Sequence, residues 1–173
     1  IKKELREWGI FVVIIGVLYV TGLHTDVAAF AQRAVLTTGL ITPDIDNEDF
    51  ADQQLDYNFK LIDLESNIIP MDSFKNKVIF LNEWATWCAP CIAEMPSIQN
   101  LYNEVGENEN IVFIMLTSDS DKKKIERFLK KKEFTFPVYG AATAIPEVLR
   151  SASIPTTFVI SKTGEIISKK VGM

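Results

Sequence analysis

Cys88 and Cys91 are the only cysteines in the chain, and just Ala89 and Pro90 separate them. If the intervening residues open a helix, two thiols at this spacing can close into a disulfide and exchange it with other thiols. A helix start surrounds Cys88 with unpaired backbone N–H groups at the positive end of the helix dipole, which favours thiolate over thiol. On this reading Cys88 is the exposed nucleophile, and Cys91 is the more buried thiol that resolves the mixed disulfide. Pro90, with no N–H to lose and a fixed φ, suits the first turn and restrains the reactive loop. The same spacing is also half of a zinc site. The chain has no second cysteine pair and its only histidine, His24, lies far upstream, so neither a metal nor any other cofactor is expected.

Glu94 follows Cys91 by three residues, roughly one helical turn. A carboxylate there can reach toward the buried thiol, directly or through water, and accept its proton when Cys91 attacks. Its neighbours Ile92, Ala93, Met95 and Pro96 are apolar, so enclosure would raise its pKa. The competing reading is a solvated acid favoured by the helix N-terminus. A second candidate element is Ile154-Pro155-Thr156, just before a strand, where a proline interrupts ladder pairing and leaves the preceding residue's backbone free for an extended substrate.

The elements around these residues follow from periodicity. Residues 78–81 and 111–116 are short apolar runs of the kind found in a sheet covered on both faces. Between them Ile92, Met95, Ile98, Leu101 and Tyr102 recur at helical spacing, which predicts a strand–helix–parallel strand unit. A strand is expected at 57–64, a second at Ile68-Ile69 and a brief turn at 71–74. An amphipathic helix is expected over 122–132, built on Ile125, Phe128 and Leu129, with its lysines solvated. Residues 136–139 read as a short edge strand, and Pro146 as the first turn of a helix through Leu149. Two further strands, 156–160 and 165–169, flank a tight turn at Ser161-Lys162-Thr163-Gly164.

Upstream, residues 8–25 (WGIFVVIIGVLYVTGLHT), with Trp8 and Thr25 at the ends, carry no formal charge at neutral pH. As a helix they are about 27 Å long, enough for a bilayer core. Lys2, Lys3 and Arg6 precede the run and only Arg33 closely follows it, which predicts a cytoplasmic N-terminus and the remainder outside. Residues 26–41 form an amphipathic stripe of Val27, Phe30, Ala31, Ala34 and Val35, for lipid or a partner protein. Residues 42–65 hold eight carboxylates against Lys60 alone, and the part to 54 reads as an acidic tether. The chain therefore divides into a membrane anchor (1–25), an amphipathic helix (26–41), an acidic linker (42–54) and a folded domain (55–173). A net charge of −5 with no basic stripe argues against nucleic acid as a partner.

Together, Asn82, Trp84-Ala85-Thr86-Trp87-Cys88, Ala89-Pro90-Cys91, Glu94, Pro96 and Ile154-Pro155-Thr156-Thr157-Phe158 with Gly164 resemble the TlpA/ResA type of membrane-tethered thioredoxin-like proteins. The resemblance runs from Leu55 to Gly172. It implies a thioredoxin-like α/β fold, a central mixed sheet flanked by helices. By the same resemblance Cys88 attacks, Cys91 resolves, Glu94 tunes the pair and Pro155 is a cis proline facing it. Trp87, Ala89, Pro90, Ile154 and Thr156 would then meet the substrate. Such proteins work on extracytoplasmic thiols and disulfides, apo-cytochrome c among them, and draw electrons from a membrane donor. Three departures stand out. Glu83 replaces the usual aromatic residue, and as a buried carboxylate it needs a proton or a partner. Asn82 stands where cytoplasmic thioredoxins keep an aspartate and cannot act as a base, which shifts that burden to Glu94; both are candidate modifiers of the site. The usual C-terminal helix is missing after the last strand, consistent with a truncated sequence, as is the start at Ile1.

The leading function is therefore a thiol-disulfide oxidoreductase at the bacterial cytoplasmic membrane, with its domain on the periplasmic or extracytoplasmic side and with reduction favoured over oxidation. The alternatives are a thioredoxin-like assembly module of a membrane protein complex, and a copper metallochaperone using the two thiolates with Met95 or Met115. A peroxidase would need an arginine near its cysteine, and none occurs between Arg33 and Arg127.

Overall fold

The run Val-Ile-Phe-Leu-Asn-Glu-Trp forms an interior strand of the computed structural model, which describes residues 53–172 together with Trp8, Val12, Val13 and Gly16. In chain order the strands are β1 (Lys60–Asp63), β2 (Ile68–Pro70), β3 (Val78–Trp84), β4 (Ile111–Thr117), β5 (Val138–Ala141), β6 (Thr156–Ile160) and β7 (Ile166–Val171). Within residues 53–172, two helices, α1 (Ala89–Val105) and α2 (Lys122–Lys132), and two 3-10 turns at Met71–Phe74 and Glu147–Leu149 accompany these strands. The strands form one mixed sheet in the order β2-β1-β5-β4-β3-β6-β7. β3 runs parallel to β4, and β4 to β5, while the outer pairings are antiparallel. This is the thioredoxin-like α/β architecture.

Alternation along β3 sorts its side chains between two cores. Phe80 and Trp84 join Phe113 and Met115 of β4 beneath α1 and α2, with Cys91, Met95, Ile125 and Leu129. Ile79 and Leu81 turn to the opposite face, where Leu55, Phe59, Met71 and Leu149 cover them. Both faces of the parallel centre are thus sealed, which explains its near-continuous apolar sequence. α2 is capped by Asp121, which accepts from the Lys124 N–H at 3.1 Å, and Lys130, Lys131 and Lys132 lie in its last turn, where cations favour the helix dipole.

Several boundaries differ from the sequence expectation. β3 continues through Asn82, Glu83 and Trp84, because ladder bonds to β4 and β6 carry the strand past its apolar stretch. β1 starts only at Lys60, because the Asn58 and Phe59 N–H groups are engaged in a turn with Asp56 and Tyr57. The strand expected at the edge over 136–139 is internal: β5 lies between β4 and β1, since the β1–β2 hairpin docks outside it. Pro146 precedes a single 3-10 turn rather than opening a helix. The fold also starts earlier than Leu55, with Gln54 bridging Glu165 and the Ile166 N–H donating to Gln53. In the β6–β7 turn Gly164 has φ +89°, and a Cβ there would press on the Tyr57 ring at 3.2 Å.

The four described residues of the apolar N-terminal run are helical and exposed. The rest of the expected span 8–25, the amphipathic stretch 26–41 and the acidic stretch up to residue 52 lie outside the described residues. Among the described residues no helix is long and apolar enough to cross a membrane.

Candidate active site

β3 ends at Trp84, and four residues later Cys88 is the N-cap of α1 with Pro90 in the first turn. Cys88 Sγ accepts a hydrogen bond from the Cys91 N–H at 3.2 Å, and the two cysteines are joined in a disulfide. The sulfur that accepts from the helix start is the one expected to carry thiolate charge, since the same donor stabilises an anion better than a neutral sulfur. Cys88 was expected to be exposed, yet in this oxidised state only 4% of it is accessible, against 0% for Cys91. The order of the two is as anticipated, but the loop before Pro155 covers Cys88, with the Ile154 carbonyl oxygen 3.8 Å from its Sγ. The Ile154–Pro155 bond is cis, and the Pro155 carbonyl accepts from the Gly172 N–H at 2.8 Å. Trp87, 60% exposed, immediately precedes Cys88 in the loop between β3 and α1. Ala89, Pro90 and Ile154 are half-buried. Thr156, expected at the substrate surface, is fully buried, with its hydroxyl bonded to Ser151 and to the Ser153 carbonyl. Its side chain supports the loop from behind.

On the face of β3 that packs under α1, Asn82 is fully buried and its amide donates to Glu94 Oε1 at 2.7 Å and to Thr157 Oγ1 at 2.9 Å. Burial pushes the Glu94 carboxyl up to about 7, against the opposing pull of the Asn82 hydrogen bond and the Lys170 charge. Glu83 points to the other face, as the pleat requires. Burial pushes it up to about 7 as well, with Lys169 opposing, and its Oε2 is buried without a hydrogen-bond partner. The charges of Lys169 and Lys170, consecutive in the edge strand β7, thus bear on two carboxylates on opposite faces of the sheet, in each case more weakly than burial does. Among the described residues no three His, Cys, Asp or Glu side chains are grouped to hold a metal ion.

Asp119 is a site residue that sequence reasoning missed. Just past the C-terminal end of β4, its carboxylate accepts from the Thr86 N–H, at 2.6 Å, and from the Thr86 hydroxyl, at 3.0 Å. Lys124 Nζ lies 3.2 Å from it. Burial pushes the Asp119 carboxyl up, but the Thr86 donors and the Lys124 ammonium outweigh this and hold it below the usual carboxylate range. This carboxylate ties the loop carrying Trp87 and Cys88 to the neighbouring strand end. The only available signal was its position after an apolar parallel strand, the edge at which sites gather in such sheets. Asp119→Ala leaves the Thr86 N–H without its acceptor and should lower unfolding free energy by about 1–3 kcal/mol in urea titrations. A loss below about 0.5 kcal/mol would show that water replaces the carboxylate at no cost.

A family model described as Redoxin matches residues 50–173. The chain belongs to the Redoxin family. Within it, the chain is 35% identical over 116 residues to a thiol-disulfide oxidoreductase ResA of Bacillus cereus, 66% of each protein. It spans about two thirds of the length of the curated relatives it matches. Among solved structures, StoA from Bacillus subtilis superposes with a TM-score of 0.54 at 26% identity, covering 66% of this chain and 87% of that one. A secreted Mycobacterium tuberculosis disulfide oxidoreductase shares the fold, with a TM-score of 0.55 at 20% identity over 64% of this chain and 81% of that one. The chemistry of this Redoxin site is thiol–disulfide exchange at Cys88 and Cys91.

Proposed function

We propose that this chain is a membrane-anchored reductase of disulfides in extracytoplasmic proteins, apo-cytochrome c among them, and that a membrane electron donor recharges it. The carrying observation is the Cys88–Cys91 disulfide at a helix start, with the part-buried Glu94 carboxyl one turn further along α1 and the Ile154 carbonyl oxygen 3.8 Å from Cys88 Sγ. The reduced pair acts in two displacements. Cys88 thiolate attacks one sulfur of the substrate disulfide, and the other sulfur leaves as a thiolate. Cys91 then gives its proton to Glu94, directly or through water, and attacks Cys88 Sγ, which expels the second substrate thiolate. Two electrons have passed to the substrate, and the protein is left in the oxidised form. A carboxyl titrating near neutrality suits this transfer, since it accepts a proton readily without being fully protonated beforehand.

Trp87, Ala89, Pro90 and Ile154 form the docking rim, with Pro155 setting the course of the loop. Residues 8–25 anchor the protein in the bacterial cytoplasmic membrane with a single span, residues 26–41 lie on the membrane or on a partner, and 42–54 are a tether. Support comes from the charge asymmetry around the span and from the thiol-disulfide oxidoreductases the chain resembles.

The test is the reduction potential of the Cys88/Cys91 pair in the purified chain, titrated against a defined thiol–disulfide buffer. A potential near or below about −220 mV is expected of a reductase. A potential near about −120 mV would instead make the protein an oxidant that inserts disulfides.

A further inference from the structure

Glu83 takes no part in the two displacements, yet it is directly coupled to the loop that covers Cys88. It is the antiparallel ladder partner of Thr156, the residue after Pro155. Ladder partners project to the same face with Cβ atoms about 4.5–5.5 Å apart, so the Glu83 and Thr156 side chains leave the sheet side by side on the same face. The Thr156 hydroxyl has a single hydrogen. It is placed to give that hydrogen to the Ser153 carbonyl, 2.8 Å away, and it also meets Ser151 Oγ at 2.6 Å. Ser151 in turn reaches the same Ser153 carbonyl at 2.6 Å. These bonds close the turn that delivers Ile154 to Cys88.

We propose that Glu83 is a proton-gated positioning residue, which holds the 151–155 loop in its substrate-receiving form when protonated and releases it when ionised. A protonated carboxyl is a donor, and can give its hydrogen to a free lone pair of Thr156 Oγ1 while the bond from Thr156 to Ser153 stays in place. An ionised carboxylate can only accept. It draws the one Thr156 hydrogen into a charge-assisted bond, and the Ser153 carbonyl loses that donor. The unpartnered Glu83 Oε2 is the atom available for either arrangement.

Among the described residues, the charges around Glu83 are few. Lys169 of β7 favours ionisation through its charge, with its Nζ over the Phe158 ring, 5.6 Å from the centroid. From β4 the facing residue is Leu116, and beyond it on the same rung lies Tyr139 of β5. On the covering layer, Arg150 and Glu147 pair with each other at 2.9 Å. Burial outweighs the lysine and places the titration near neutrality, so the gate works in the range where an extracytoplasmic domain meets changing pH.

This inference rests on the exchange activity proposed above, and steady-state kinetics against pH separate the two. The probes are a disulfide-bonded peptide long enough to pair with the Ile154 backbone and 5,5′-dithiobis(2-nitrobenzoate), which needs no such pairing. For the full chain with the peptide, KM should rise about tenfold from pH 6 to 8, following the loss of the protonated, competent form. Glu83→Gln, which cannot ionise, should hold the low-pH KM throughout. With the small disulfide, KM of both proteins should change less than about twofold, because no loop pairing is involved. Glu94 acts on the chemical step, so its titration appears in kcat and leaves this KM profile in place. Lys169→Met, an independent variant, should move the KM transition to higher pH. Superimposable KM profiles for wild type and Glu83→Gln would overturn the inference and leave the exchange activity standing. So would an unmoved transition in Lys169→Met. Absence of any Cys88-dependent turnover would instead overturn the activity itself.

Discussion

Cys88→Ala is expected to abolish disulfide exchange, lowering kcat/KM by on the order of 10⁴-fold or more, because no other thiol can start the first displacement. The remaining sulfur, on Cys91, is fully buried, so it cannot substitute for the lost nucleophile. Cys91→Ser behaves differently. Cys88 still attacks, but nothing resolves the product, and the protein should accumulate as a mixed disulfide with its substrate, visible as a thiol-sensitive mass adduct. The assay is reduction of a disulfide peptide with the protein recharged by excess dithiol. Turnover of Cys88→Ala within about tenfold of wild type would rule out the attacking role. A Cys91→Ser protein that turns over without forming the adduct would exchange the roles of the two sulfurs.

Glu94→Gln should slow exchange by about 10²-fold at neutral pH, the lower range for loss of a positioned proton acceptor. Glutamine keeps an oxygen for the Asn82 amide, so the packing under α1 is retained while the proton site is deleted. The rise of kcat with pH that reflects Glu94 ionisation should vanish with it. The same substitution has a stability signature of definite sign. Burial raises the folded-state pKa of Glu94 from 4.5 to about 7. Its contribution is therefore fully present below pH 4.5, where both states are protonated, and is lost as pH rises through about 7. The loss has an upper bound of about 3 kcal/mol. In urea titrations the oxidised wild type should weaken between pH 5 and pH 8, and Glu94→Gln should weaken less, because Glu83 alone then supplies a slope of the same sign. Identical pH slopes for the two proteins would mean that Glu94 is solvated, with nothing to gain from its position.

The same contrast between local and long-range information runs through the fold. α1 and α2 were legible because their apolar residues repeat along one segment, and the β3–α1–β4 unit because two apolar runs flank a helical one. β5 was misplaced at an edge because strand order is set by which distant segment docks alongside it, and β1 precedes it by some seventy-five residues in the chain. Asn82 and Glu83 were correctly assigned to opposite faces by the two-residue period. What each side chain meets there comes from β6, β7 and α1.

By itself the sequence determined the reactive chemistry. Two cysteines separated by Ala89 and Pro90, a carboxylate one turn on and a proline before a late strand are local patterns, and dihedral preference and helix periodicity act over just such short ranges. Only the tertiary structure decided that Cys88 is covered by the 151–155 loop, that Thr156 faces away from the disulfide, and that Asp119 braces Thr86. It alone brought Lys169 and Lys170 to two carboxylates on opposite sides of one sheet. The physical reason is that hydrogen bonding and desolvation act through space over a few ångströms, and only the packed sheet brings β3, β6 and β7 within that range.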